Sequence, residues 1–104
     1  MSYVMIFVTI PSRGEARKIT DKLIGDKLVA CVNLVPGIRS TYWWRGKVEK
    51  ANEILLIAKT KKGLTGKVIK AVKKLHPYEV PEIIAFPIIE GNPDYLKWIG
   101  NTVI

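Results

Sequence analysis

The chain has 104 residues, with 17 Lys and Arg against 9 Asp and Glu for a formal charge of +8. That length suits one domain, residues 1–104, and the charge admits anionic partners such as nucleic acid or phosphorylated metabolites without establishing any of them. A single cysteine, Cys31, excludes an intrachain disulfide framework and points to the cytosol, and the absence of glutamine beside abundant Lys and Ile fits a thermostable protein.

The apolar run Tyr3 to Ile10 is too short to span a bilayer and lacks a basic flank, so it reads as a buried strand with no membrane partner. Ser12-Arg13-Gly14-Glu15 has the Ser-x-x-Glu spacing of a capping box and opens a helix whose stripe is Ala16, Ile19, Leu23 and Leu28. Val29 to Val35 and Ile38 to Trp44 read as extended runs separated by Pro36-Gly37, and Arg45-Gly46 as a hairpin turn. Lys47 to Thr60 is the returning strand. Leu64, Val68, Val72 and Leu75 recur at helical spacing in a second helix that ends at His76. Glu82 to Glu90 forms another strand, and Asn92-Pro93 caps a short last helix with Tyr95, Leu96, Trp98 and Ile99. The order strand, helix, strand, strand, helix, strand, helix predicts an α+β, ferredoxin-like βαββαβ fold with a C-terminal helix, two helices covering one face of an antiparallel sheet.

Val29 to Trp44 in extended form would reach about 53 Å, longer than a domain of this size is wide. The strand must bend or project. Consecutive residues Tyr42, Trp43 and Trp44 point to alternate faces, so large aromatic side chains occupy both, and subunit contacts are the simpler way to cover them.

Chemistry should centre on His76-Pro77-Tyr78-Glu79-Val80-Pro81-Glu82-Ile83, which gathers the only histidine, two carboxylates and two prolines that push His76 and Val80 into extended geometry. The bland reading of His76 is a C-cap; the sharper one is an imidazole metal ligand with Glu79, Glu82 and, if strand pairing brings it near, Cys31. A closed structural zinc site within one chain is not expected, because no second histidine and no Cys-x-x-Cys exists. Nothing supplies Cys31 with an oxyanion hole, so the chain is not expected to be an enzyme. The seven lysines between Lys59 and Lys74 read chiefly as a solvated helix face. The central strand Glu53 to Lys59 has no aromatic residue, which disfavours nucleic-acid recognition through the sheet.

Ala30-Cys31-Val32-Asn33, Tyr42-x-Trp44-x-Gly46-Lys47-x-Glu49, Lys59-Thr60, His76-Pro77-Tyr78-Glu79-Val80-Pro81-Glu82 and Tyr95-Leu96-x-Trp98 together resemble the CutA divalent-cation tolerance family. The resemblance spans nearly the whole chain. It implies an interlocked homotrimer, a cytoplasmic role in tolerance to copper and other divalent metals without an obligatory cofactor, and an architecture similar to PII signalling proteins. It also marks Tyr42, Trp44, Glu49, Lys59 and Tyr78, with Cys31, His76 and Glu79, as signature positions around an inter-subunit cleft. Two positions that can carry ligands in bacterial members are Val8 and Leu75 here, which removes donors for Cu(II). The competing function is a PII-like signalling or scaffold protein that binds a small anionic ligand at those clefts through Lys59.

Overall fold

A computed structural model describes residues 1–104. The elements are β1 (Tyr3–Ile10), α1 (Arg13–Gly25), β2 (Cys31–Trp44), β3 (Lys47–Lys61), α2 (Thr65–Leu75), β4 (Ile83–Ile88) and α3 (Pro93–Thr102). The strands form one antiparallel sheet in the order β2-β3-β1-β4, so β2 and β4 are its edges. Alternation along β1 puts Val4, Ile6, Val8 and Ile10 into the core, where they meet Ile54, Leu56 and Ala58 of β3 and the apolar stripes of α1 and α2. Burying each such side chain contributes about 1.5 to 3 kcal/mol, which is why this face determines register.

The helix ends follow local chemistry. Ser12 Oγ accepts from the Glu15 amide at 3.3 Å. The carboxylate does not complete the expected capping box: Glu15 Oε2 is buried without a partner in the chain. α1 also stops sooner than its stripe suggests, at Gly25, with Lys27 taking the left-handed conformation (φ 54°), so Leu28 enters the core from a loop. Asn92 caps α3 as expected, its side chain accepting from the Asp94 amide at 3.0 Å, with Pro93 in the first turn.

Three strand bounds differ from expectation. β2 begins at Cys31 rather than Val29: the Val29 amide still donates to the Leu23 carbonyl of α1, and the Ala30 amide makes the first bond to β3, at the Lys59 carbonyl. It then runs unbroken past Pro36-Gly37, where a register shift between Val35 and Ile38, with Gly37 at φ 78°, forms a bulge instead of a break. β4 spans only Ile83–Ile88, the residues that pair with Val8 back to Tyr3 of β1.

The β2–β3 hairpin outreaches its neighbours and makes the molecule elongated, 44 × 26 × 23 Å. α3 does not join the other two helices. Gly100 sits so close to Tyr3 that a Cβ there would meet the Tyr3 hydroxyl at 2.9 Å, and Tyr3 points away from the α1–α2 layer. The rest of that second face is open: Phe86 is 41% exposed against Phe7, ring centroids 5.0 Å apart, and Ile84 beside it is 45% exposed.

Candidate functional site

The hairpin tip and the corner after α2 meet at one place. Arg45 and Gly46 have φ 50° and 79°, both left-handed, as a tight two-residue hairpin turn requires, and Tyr42 pairs with Glu49 across the ladder. Alternation sends Tyr42 and Trp44 to one side and Trp43, 75% exposed, to the other. On the opposing segment, Pro77 forces His76 into extended geometry (ψ 135°) and ends α2. A cavity of about 460 Å³ lies between, lined by Tyr42, Trp44, Arg45, Glu49, Pro77, Tyr78, Glu79 and Val80.

His76 holds this corner from beneath. It is only 7% exposed, and both ring nitrogens are engaged. The Tyr78 amide donates to Nδ1 at 3.1 Å, so the proton resides on Nε2, which donates to the Thr9 carbonyl at 2.7 Å. Tyr78 leans against the imidazole, centroids 4.9 Å apart, and its hydroxyl donates to Glu53 Oε2 at 2.9 Å. Glu53 is 4% exposed. Burial, then the hydrogen bond to Glu53 and its negative charge, pushes the Tyr78 phenol well above the usual tyrosine range.

A raised phenol pKa favours the neutral form in the folded state. This contribution to stability is therefore complete below about pH 10, the ordinary tyrosine value, and is lost progressively as pH rises further. Absorbance titration at 295 nm should show one fewer late-ionising phenol in Tyr78→Phe than in wild type, the Tyr95 phenol remaining late in both. Superimposable curves would contradict the assignment.

At the cavity mouth, Arg45 Nη2 donates to Glu79 Oε2 at 2.6 Å while its guanidinium carbon lies 5.2 Å from the Trp44 ring centroid. A second polar cluster lies on the open sheet face. Lys59 Nζ donates to Asn33 Oδ1 at 2.6 Å and stands 3.9 Å from Cys31 Sγ. Burial and then a hydrogen bond to Cys31 raise the Tyr95 phenol.

The structure thus brings Tyr42, Trp44, Glu49, Tyr78 and Glu79 to one cavity but places Lys59 apart from it, beside Cys31. No three His, Cys, Asp or Glu side chains gather into a set able to hold a metal within the single subunit. His76, Glu79, Glu82 and Cys31 are therefore not assembled by this chain alone. Cys31 pairs with Lys59, four positions along β3 from Leu55, the register partner of the Thr9 that holds His76, so no Cys31–His76 dyad forms. Val8 is fully buried in the core, and Leu75 is part-exposed at the end of α2.

Sequence reasoning missed Glu53, Arg45, Asn33 and Tyr95. Glu53 was detectable as a carboxylate opening the apolar run Ile54 to Ala58, and Arg45 as a bulky residue where a turn usually takes Gly, Asn or Asp.

A family model described as CutA1 divalent ion tolerance protein matches residues 4–102. A chloroplastic CutA 1 protein from Oryza sativa subsp. japonica is 46% identical over 99 residues, covering 95% of this chain and 56% of the relative, so the chain spans little more than half the length of that protein. The solved structure of a divalent cation tolerance protein from Thermus thermophilus superposes with a TM-score of 0.95 at 44% identity, covering 98% of this chain and 99% of the other. A structure from Archaeoglobus fulgidus, described as a periplasmic divalent cation tolerance protein CutA, gives 0.94 at 42% identity over 98% and 99%. These names describe tolerance proteins and no catalytic activity.

Proposed function

The chain belongs to the CutA1 divalent ion tolerance family, and from that premise we propose that it is a single-domain, ferredoxin-like subunit of a homotrimer that binds divalent cations between its subunits. The observation carrying this reading is the cavity at the hairpin tip, where Glu49 and Glu79 stand exposed in a protein that is otherwise strongly basic. Two carboxylates are an incomplete ligand set for a divalent ion, which takes six or more oxygens or a smaller set including nitrogen or sulfur. A neighbouring subunit's hairpin would supply the rest. Assembly itself is supported by the open face around Phe86 and Ile84 and by the exposed Trp43.

In this reading Glu79 is the principal ligand of the four proposed from sequence, with Glu82 further along the same exposed corner. His76 acts as a positioning residue because both its nitrogens are committed. Cys31 lies too far along the sheet to join them. Oxygen donors favour hard ions, so a soft ion such as Cu(I) would be held weakly, while Cu(II) would still bind more tightly than Mn(II). A cytosolic setting is part of the proposal and is supported by the unpaired Cys31 thiol.

Isothermal titration with Cu(II) and Mn(II) tests the site. Glu79→Gln should weaken metal binding at least tenfold, and identical isotherms for wild type and variant would remove Glu79 from it. The anionic-ligand reading rests on one specific observation, the Lys59 ammonium poised beside Asn33, Cys31 and Tyr95. A melting temperature raised by an organic acid in wild type but not in Lys59→Ala would favour it.

A further inference from the structure

The hairpin cavity has a composition that a bare metal site does not need. Three of its walls are the aromatic rings of Tyr42, Trp44 and Tyr78, and its rim holds the carboxylates of Glu49 and Glu79. Aromatic faces attract cations through their ring quadrupoles, and a desolvated organic cation gains most from them. Behind the wall stands a further carboxylate, Glu53, held by the Tyr78 hydroxyl. The cavity therefore opposes two rim carboxylates to one cation, Arg45, in a chain whose total formal charge is +8.

Arg45 itself demonstrates what the cavity recognises. Its guanidinium lies over Trp44 and bonds Glu79 at once, making both contacts that an incoming organic cation would make. It does so from a left-handed backbone position, φ 50°, that a bulky L-residue adopts only at a cost. The Arg45 and Glu79 side chains are 70% and 68% exposed, so the pair is a surface ion pair that water and competing ions can open.

We infer that this cavity is a binding site for small guanidinium or alkylammonium compounds, with Arg45 as a tethered occupant that such a ligand displaces. The cavity is large enough for the ligand's body beyond its cationic head, which would lie along Pro77 and Val80. An intramolecular occupant lowers apparent affinity by the fraction of time it fills the site, and a surface ion pair of ordinary strength implies about a fivefold occlusion. The site is the same cavity as in the metal reading above and shares Glu49 and Glu79 with it, so a metal ion and an organic cation would compete there.

The test is calorimetric titration with agmatine in chelator-containing buffer, where the fate of the metal proposal has no influence. Arg45→Gly suits the left-handed turn and should fold, and it should bind agmatine about fivefold more tightly than wild type. Adding Trp44→Ala or Glu79→Gln to that variant should abolish the gain, with circular dichroism confirming that each protein is folded. Equal or weaker binding by Arg45→Gly overturns the proposal. So does agmatine binding that survives both additional substitutions, or a preference of Arg45→Gly for succinate over agmatine.

Discussion

Replacing His76 with alanine is expected to destabilise the fold by about 2 to 4 kcal/mol, a large fraction of the stability of a domain this size. The imidazole accepts from the Tyr78 amide and donates to the Thr9 carbonyl, so truncation removes two hydrogen bonds and opens a void at the base of the corner. Each group left unsatisfied costs about 1 to 3 kcal/mol, and the void adds to it. Urea denaturation at fixed protein concentration measures the effect. If His76 were instead an exposed ligand with little structural work, the variant would unfold within about 0.5 kcal/mol of wild type, as surface substitutions usually do. A loss of metal binding by this variant would consequently need the Glu79→Gln result beside it, because a collapsed corner also misplaces Glu79.

Phe86→Asp should convert the proposed trimer into single subunits. Phe86 sits on the helix-free face with Phe7 behind it and Ile84 on the same strand, and 41% of it is accessible in the isolated chain. Placing a carboxylate in the centre of an apolar contact buries an unpaired charge in the oligomer, whereas in the monomer it costs only the part-exposed packing of Phe86 on Phe7. Light scattering should therefore report three chains for wild type and one for the variant, with the circular dichroism spectrum retained. A wild-type monomer would sink the trimer outright; a Phe86→Asp trimer would move the interface to another part of the surface.

The elements were legible because each is written in local chemistry. Ser12 and Asn92 announce helix starts, Pro77 ends α2 at His76, and Arg45-Gly46 turns the hairpin where expected. Several cavity residues were legible as well, through the resemblance of their motifs. What stayed hidden depends on register. Lys59 shares its motif set with Tyr42 and Trp44, and only the register shows that within one subunit it pairs with Cys31 at the far end of β2. His76 looked free to bind because nothing local shows that Thr9, 67 positions away, would claim its second nitrogen. The Pro36-Gly37 pair signals an irregularity but not its kind, since a bulge and a break share the same residues.

The two edge strands have a consequence for how the protein fails. A subunit with β2 at one border of its sheet and β4 at the other can join its copies head to tail, and such contacts either close into a ring or run on as a fibre. The geometry of the join decides between them. Pro87 lies within β4 and has no amide proton to donate, and the Pro36-Gly37 bulge twists β2 midway, so neither border is a continuous flat template. Straightening either border, by Pro87→Val or by deleting the bulge, would leave the core chemistry alone and make filament growth the hazard.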